Sequence, residues 1–302
     1  MPLGRKRRFG GPIWLKMLLA ILLAYLAVVA LAFAFQNKLI FPGAGRIEPI
    51  LPAGTERLAI ETADGAHLAG LHIPPDAPAA AAPVILSFAG NGTNAASAAI
   101  LVHHLYPRAD VIGFHYRGYP PSGGRTSIAS LRADALLEHD LAARRFPGRP
   151  IVGIGFSIGS GIAAWVAHGR PLAGLILVTP FDSLEKVAAD RTPWLPVAWL
   201  MRGNLDSAHW LGGRGLPVAI VAGGSDRLVL PARTDALRSA IPNLVFDRTI
   251  RGAGHESIYG DAAFAPAMAE ALAAIGGHGG AQAVGPKAQP HLPSRRDGPS
   301  GR

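Results

Sequence analysis

Cysteine is absent from the 302 residues of this sequence. The chain therefore has no disulfide bond, no thiolate metal site and no cysteine nucleophile. The absence leaves the compartment open, because a periplasmic protein can also lack disulfides. The length is sufficient for one large domain with a sizeable core, and no internal repeat is visible.

A basic stripe is missing from the body of the chain, although the formal net charge is +9. The excess positive charge lies mainly at residues 5–8, at Lys16 and in a tail after residue 276. The body between these ends is close to neutral. A near-neutral body without a basic stripe argues against a nucleic-acid partner.

Charge is also missing from a long apolar stretch near the amino terminus. No charged residue occurs over 17–35, and the apolar residues 13–15 extend the stretch further. About 20 apolar residues are needed to cross a bilayer as a helix. We therefore predict a transmembrane helix over 13–35, after a basic segment 1–12, with Trp14 near a membrane interface.

The fate and orientation of this helix follow from its length and its flanks. A cleaved signal peptide is the alternative, with Ala30-Leu31-Ala32 as its cleavage site, but the apolar run exceeds the usual signal core, so an uncleaved signal anchor is favoured. The positive charges at 5–8 outnumber Lys38 and Arg46 on the other side. The positive-inside bias then places the amino terminus in the cytoplasm and the following domain outside it. The Ala- and Gly-rich composition suggests a bacterium, and hence the inner (cell) membrane.

The remainder of the chain predicts an α/β fold. Residues 36–55 are expected to form a linker, and two weakly alternating segments around Asp64-Gly65 predict a β-hairpin. Strands and helices then alternate, which indicates a mostly parallel sheet flanked by helices, in a domain over 56–275. The Gly-, Pro- and Arg-rich tail over 276–302 is expected to be disordered. The predicted strands are 56–62, 67–73, 84–88, 111–116, 151–154, 174–178, 218–221 and 244–250, and the helices 95–105, 128–145, 160–167, 231–240 and 262–275.

The motif at 155–159 carries the strongest functional signal. It is a G-x-S-x-G with Ser157 at its centre, and it stands between a short apolar strand and a helix. In that context the pattern indicates a nucleophile elbow, in which a strained turn exposes the serine hydroxyl above the sheet. A dinucleotide loop starting at Gly153 is excluded, because its third glycine would fall on Ile158.

A serine hydroxyl needs a base to remove its proton, and the base needs an orienting carboxylate. His255 follows the last predicted strand, and Asp226 follows the strand before it. The order Ser157, Asp226, His255 is the one this type of fold uses. Asp182 is the competing acid; its other interpretation is a cap for the helix that follows it.

The oxyanion that forms during acyl transfer needs two hydrogen-bond donors. The backbone N–H of Ile158, at the start of the elbow helix, is one candidate. The other is expected from the loop 89–92, whose small residues allow backbone to approach a substrate, although a plain strand-to-helix turn would have the same glycines.

These motifs together resemble the α/β-hydrolase superfamily, and more narrowly the membrane-associated serine hydrolases related to eukaryotic protein depalmitoylases. The resemblance covers about residues 36–275 and implies ester or thioester hydrolysis by Ser157, Asp226 and His255, with the N–H groups of Asn91 and Ile158 as the oxyanion hole. The sequence departs from the family at Ala89, where the family usually has His, and at 120–124. The matching pieces are Gln36-Asn37-Lys38-Leu39-Ile40-Phe41-Pro42, Gly90-Asn91, Tyr116-Arg117-Gly118-Tyr119, the elbow, Gly224-Ser225-Asp226-Arg227-Leu228-Val229 and Gly254-His255.

An insertion over 186–216 contains Trp194, Trp199 and Trp210. It is either a small hydrophobic cap that suits acyl chains or an ordinary packed helix. We expect a serine hydrolase that acts on an acyl ester or thioester, such as a lipid-like substrate, without a cofactor or a metal. The same triad would serve an amidase or peptidase, and a non-catalytic binding protein on a hydrolase fold is the third interpretation, since a fold alone does not prove activity.

Overall fold

The computed structural model describes residues 12–43, 49–77 and 82–279. Within them the chain alternates between strands and helices as the sequence predicts. The strands are β1 Glu56–Glu61, β2 His67–Ile73, β3 Val84–Phe88, β4 Asp110–Phe114, β5 Ile151–Phe156, β6 Gly174–Val178, β7 Val218–Gly223 and β8 Leu244–Ile250. The helices are α1 Ile13–Ile40, α2 Ala95–Leu105, α3 Ile128–Arg145, α4 Ile158–Gly169, α5 Leu184–Arg191, α6 Val197–Leu200, α7 Ser207–Leu211, α8 Pro231–Ala240 and α9 Phe264–Gly279, with a 3-10 turn at Ser257–Gly260.

The eight strands form one sheet in the order β1-β2-β4-β3-β5-β6-β7-β8. β1 and β2 form the predicted antiparallel hairpin, in which Glu61 pairs with His67, and β2 joins β4 antiparallel. From β4 to β8 all neighbours are parallel. Because the ends of parallel strands lie on one edge, the loops after β3, β5, β7 and β8 meet at the same edge of the sheet.

Helices cover both faces of this sheet, which explains why its central strands are continuous apolar runs. Along β3, Leu86 belongs to a core shared with α4, and the adjacent Ile85 belongs to a core shared with α2 and α9. All residues of β3, β4, β5, β6 and β7 are buried. The predicted mostly parallel α/β architecture is confirmed.

The helix α1 is longer than the sequence predicts. It continues past residue 35 to Ile40, so the expected linker begins at Phe41 instead of at 36. The reason is that Gln36 is held by two long-range contacts: its amide nitrogen donates to the carbonyl oxygen of Leu200 at 3.0 Å, and its amide oxygen accepts the N–H of Arg202 at 2.8 Å. Polar side chains at this point end the apolar stretch without ending the helix.

Other boundaries also differ from the prediction. The elbow helix α4 begins at Ile158 instead of at 160, because the turn after β5 is a single residue. The last helix, α9, ends at Gly279, so residues 276–279, predicted to be disordered, are helical. The remainder of the predicted tail, most of the basic segment 1–12 and residues 44–48 of the predicted linker lie outside the described residues.

Candidate active site

Ser157 stands alone in the turn between β5 and α4. Its backbone has φ 51° and ψ −118°, a conformation that a residue with a side chain rarely adopts. The turn is held by two backbone hydrogen bonds, from Ser157 N–H to the Val178 carbonyl at 2.9 Å and from Ser160 N–H to the Ser157 carbonyl at 2.8 Å. The strained geometry raises the hydroxyl above the carboxyl edge of the sheet.

The two glycines of the motif are required by close backbone approaches. A Cβ on Gly155 would lie 2.6 Å from the Cα of Ser160, and a Cβ on Gly159 would lie 2.6 Å from the carbonyl oxygen of Ala89. Both distances are shorter than real Cβ contacts. The G-x-S-x-G pattern therefore has a steric cause on both sides of Ser157.

The structure brings Ser157, His255 and Asp226 into one chain of hydrogen bonds. His255 Nε2 lies 2.8 Å from Ser157 Oγ, and His255 Nδ1 lies 2.7 Å from Asp226 Oδ2. An ionised carboxylate only accepts hydrogen bonds, so Nδ1 carries the proton and Nε2 presents its lone pair to the serine hydroxyl. This arrangement can remove a proton from Ser157.

The Asp226 carboxylate is itself fixed by backbone. Its Oδ1 accepts the N–H groups of Leu228 at 2.8 Å and Val229 at 2.9 Å. Asp226 and His255 are both buried, with 6% and 9% of their surfaces exposed. These contacts leave the other carboxylate oxygen pointing at the imidazole, so a rotation of the carboxyl would break two hydrogen bonds.

Asp182, the competing acid, has different partners. Its Oδ2 lies 2.9 Å from Lys186 Nζ and 3.5 Å from Arg233 Nη1, within two ion pairs. The prediction that it caps the next helix is wrong, because the N-cap position of α5 is Ser183. The helical spacing from 182 to 186 favours the ion pair.

The predicted oxyanion donors lie on the two sides of Ser157. Ile158 is the first residue of α4, where a backbone N–H has no intrahelical partner. Across from it, a Cβ on Gly90 would lie 3.8 Å from the Cβ of Ser157, so the loop after β3 passes in van der Waals contact with the serine. The next residue in that loop is Asn91.

Sequence reasoning missed what holds this loop. The Asn91 side chain donates through Nδ2 to the carbonyl of Ile40 at the end of α1, and its Oδ1 accepts the hydroxyl of Tyr119 at 2.7 Å. The hydroxyl of Tyr116 donates to the carbonyl of Ala89 at 2.6 Å. Both tyrosines belong to the motif 116–119, which matches the α/β-hydrolase superfamily. That match was the signal in the sequence that could have indicated that they hold the loop.

Buried titratable groups surround the loop. Burial raises the pKa of Tyr119 and of Tyr259 to about 12, so both phenols stay protonated and can donate at neutral pH. Burial, and secondarily the Asp134 carboxylate, raise the pKa of Glu138 well above its ordinary value. The Glu138 charge in turn helps burial to raise the pKa of Tyr116.

A cavity of about 210 Å³ lies beside the hydrogen-bond chain, lined in part by Gly90, Phe156, Glu256 and Tyr259. Two of its lining residues, Phe156 and Glu256, are the sequence neighbours of Ser157 and His255, and most of the others come from the loop after β3 and from α2. A larger cavity of about 670 Å³ is lined in part by Leu172 and Pro217, at the opposite, amino-terminal edge of the sheet. Within the described ranges, no cluster of three or more His, Asp or Glu side chains could hold a metal ion.

A parallel sheet with a strained serine at the end of its central strand is the architecture of an α/β hydrolase. No family model matches the chain. An uncharacterized protein of Mycobacterium tuberculosis is 32% identical over 236 residues, which cover 76% of this chain and 83% of that protein. A lysophosphatidylserine lipase of Danio rerio is 26% identical over 227 residues, which cover 62% of this chain and 59% of the lipase.

Solved structures show the same fold. An esterase of Pyrococcus furiosus has a TM-score of 0.59 at 16% identity, over 76% of this chain and 96% of the esterase. A serine hydrolase homologue of Coxiella burnetii has a TM-score of 0.54 at 18% identity, over 76% of this chain and all of the homologue, 100%. The chain belongs to the α/β-hydrolase superfamily, in one family with the mycobacterial protein. The predicted α/β-hydrolase fold is confirmed.

Proposed function

We propose that this protein is a serine hydrolase that cleaves carboxylic esters or thioesters through an acyl-enzyme. The observation that carries the proposal is the hydrogen-bond chain from Asp226 through His255 to Ser157, with 2.7 Å and 2.8 Å between the heavy atoms. Such short contacts within a buried chain are the geometry that general-base activation of a serine requires.

In the proposed reaction His255 Nε2 takes the hydroxyl proton while Ser157 Oγ attacks the carbonyl carbon of the substrate. The carbonyl oxygen becomes an oxyanion, which accepts the backbone N–H groups of Ile158 and Asn91. The imidazolium, stabilised by Asp226, then gives its proton to the leaving alcohol or thiol. In the second half of the reaction His255 takes a proton from water as the water oxygen attacks the acyl carbon. His255 then returns that proton to Ser157 Oγ as the acid is released.

An ester or thioester substrate is supported by the relatives. One matched protein is a lipase and one matched fold is an esterase. The resemblance to depalmitoylases supports thioesters as well. An amide substrate would use the same residues, and a panel of p-nitrophenyl esters, acyl thioesters and peptide anilides separates these leaving groups.

We also propose that α1 anchors the enzyme in the inner membrane, with its amino terminus in the cytoplasm and the catalytic domain outside. Among the described residues α1 is the one helix long and apolar enough to cross a bilayer, and the apolar window within it is 0% buried against the remainder of the chain. An exposed helix of that composition is not stable in water, which supports a lipid environment.

Active-site labelling tests the proposed function. Ser157→Ala is expected to lose fluorophosphonate labelling and to lower the rate of ester hydrolysis by a factor of about 10⁴ to 10⁶. Ser160→Ala is the matched control. Ser160 lies one turn away in α4 and is 0% exposed, and its hydroxyl has no hydrogen-bond partner within the described residues. Labelling of Ser157→Ala, or its loss in Ser160→Ala, would contradict the assignment.

A further inference from the structure

A second apolar segment lies beside α1. We call residues 192–201 the apolar arm; they follow α5, include α6 and contain no charged side chain, while Arg191 and Arg202 stand at the two ends. Trp194 is 56% exposed and Trp199 is 90% exposed. A large aromatic side chain that remains almost wholly exposed has no partner within the described chain, and such surfaces mark contact with lipid or protein.

The apolar arm is joined to α1 at two levels. Near the end of α1, Gln36 Nε2 donates to the Leu200 carbonyl at 3.0 Å, and Arg202 N–H donates to Gln36 Oε1 at 2.8 Å. Further back, the Tyr25 hydroxyl donates to the Trp194 carbonyl at 3.0 Å. The arm therefore runs along the helix from Gln36 towards its middle.

These two contacts define how deep the arm would lie in a bilayer that α1 crosses. The charge-free stretch of α1 ends at Gln36-Asn37-Lys38, which marks the boundary between lipid and water on this side. At 1.5 Å per residue, Tyr25 lies about 16 Å along the helix from Gln36. That is about half of the ~30 Å hydrocarbon core. If α1 spans a bilayer, the arm at Trp194 lies at the depth of the acyl chains.

The backbone of the arm is prepared for such a place, where unpaired N–H groups are costly. Pro193 and Pro196 have no N–H, and the carbonyls of Trp194 and Leu200 are taken by α1. Most of the other N–H groups have partners inside the segment or at its start. These bonds run from Thr192 to Ala188, Leu195 to Thr192, Val197 to Leu195, Trp199 and Leu200 to Pro196, and Met201 to Val197, at 2.9 to 3.2 Å.

Between the arm and α1 lies an apolar groove of about 230 Å³. Its lining includes Ala32, Leu39 and Ile40 from α1 and Leu195, Val197 and Met201 from the arm. The lining also includes Gln36, Thr192 and Arg191, and at Ala32 the groove adjoins the apolar stretch of α1, so whatever surrounds the helix there also reaches the arm. Acyl chains of the bilayer match this lining, and water does not.

We propose that the apolar arm inserts into the extracytoplasmic leaflet of the same bilayer that α1 crosses, as a second membrane contact. This inference rests on the proposed anchoring by α1 and not on the proposed catalysis. The partner is the acyl-chain region of the membrane, with Trp194 among the acyl chains, Trp199 near the boundary at Gln36, and Arg191 and Arg202 at the headgroups, where cationic side chains are favoured.

The experiment uses the absence of native cysteine. Three single-cysteine variants of the full chain, Trp194→Cys, Leu22→Cys and Arg144→Cys, are labelled with an environment-sensitive fluorophore and reconstituted in phosphatidylcholine vesicles. Leu22 is 51% exposed on α1 and reports the helix, Trp194 is 56% exposed and reports the arm, and the exposed Arg144 at the end of α3 reports the body. All three positions are exposed, so the substitutions leave the packing intact. Quenching by doxyl-labelled lipid is compared with quenching by aqueous iodide.

The expected result is that positions 194 and 22 are quenched by the lipid label and protected from iodide, whereas position 144 shows the reverse. Iodide quenching at position 194 with protection at position 22 would overturn the arm insertion and leave the anchor standing. Iodide quenching at both would overturn the anchor together with the arm. Fluorophosphonate labelling of the same samples is independent of these outcomes, so a failure of the catalytic proposal is seen separately.

Discussion

The side-chain amide of Asn91 donates a hydrogen bond to the backbone carbonyl of Ile40, the last residue of α1. The oxygen of the same side chain, Asn91 Oδ1, accepts a hydrogen bond from the Tyr119 hydroxyl at 2.7 Å. The loop that passes in contact with Ser157 is therefore held between the amino-terminal helix and a buried tyrosine. We infer that α1 positions the loop 89–92, which carries one donor of the proposed oxyanion hole, in addition to the membrane anchoring proposed for it.

Asn91→Ala tests this relationship, since it removes both side-chain bonds and keeps the backbone N–H that we assign to the oxyanion hole. A misplaced donor loses much of its effect, so we expect kcat to fall by a factor of about 10 to 100 with little change in KM. Steady-state hydrolysis of a p-nitrophenyl ester measures both constants.

Tyr119→Phe is the matched control for Asn91→Ala. It removes only one of the two bonds and keeps the buried ring, so its kcat should fall by less. Wild-type kcat in Asn91→Ala, with near-ultraviolet circular dichroism showing an intact fold, would contradict a positioning role for this residue.

Asp226→Asn is expected to lower kcat by a factor of about 10⁴, because His255 loses the carboxylate that fixes its tautomer and stabilises its charge. Asp182→Asn should leave kcat within a few-fold of wild type and act on stability instead, since it removes the ion pair of Lys186 and one of the two ion pairs of Arg233. The two variants are compared by ester hydrolysis and by chemical denaturation in detergent. If Asp182→Asn proved to be the slower enzyme, the acid would belong to the loop after β6.

Glu138 predicts a pH dependence of stability. Its pKa in the folded protein is raised well above the ordinary 4.5, mainly by burial, so the unfolded chain releases this proton at a lower pH than the folded one does. The contribution of Glu138 to the free energy of unfolding is therefore fully present below pH 4.5 and is lost as the pH rises towards the folded pKa. Glu138→Gln lacks this loss, so its free energy of unfolding should gain on wild type by up to about 1.4 kcal/mol per pH unit over that window.

Urea denaturation of both proteins in detergent at pH 5, 6 and 7 measures the difference. A difference that stays constant across these pH values would mean that Glu138 is ionised and solvated in the folded protein. Asp134→Asn serves as a comparison, because Asp134 is paired with Arg117 at 2.6 Å and 2.9 Å and its replacement leaves Asp64 as the remaining carboxylate partner of the buried guanidinium.

The orientation of α1 predicts where protease can reach the chain. With the amino terminus in the cytoplasm, protease added to spheroplasts should digest the catalytic domain and remove the carboxyl-terminal tail from detection by an antibody. A cytoplasmic marker protein in the same sample shows that the membrane stays sealed. Full protection of the tail would reverse the orientation, and release of a shortened soluble protein would indicate cleavage near Ala32.

Much of the fold could be predicted because its causes are local. Buried parallel strands are continuous apolar runs, and the elbow needs glycine at 155 and 159 for steric reasons that a short motif records. The three residues Ser157, Asp226 and His255 could be placed because each follows a strand at the same edge of the sheet.

The remaining features depend on partners far away in the chain. The end of α1 was predicted at 35 because Gln36 is polar, and only its contacts with Leu200 and Arg202 explain why the helix continues. The same holds for the Asn91 side chain, whose partners are Ile40 and Tyr119. No periodicity or spacing encodes such pairs, so a single sequence does not reveal them.

Phe41, the first residue after α1, is only 6% exposed and packs in the main core. The body of the protein thus begins directly where the helix ends, instead of moving at the end of a long tether. For a hydrolase anchored as proposed and acting on a lipid of the same membrane, this would confine the encounter of enzyme and substrate to two dimensions. The reaction rate then follows the mole fraction of substrate within the membrane and not its concentration in the bulk solution, so dilution with inert lipid slows turnover even when the total amounts of enzyme and substrate are unchanged.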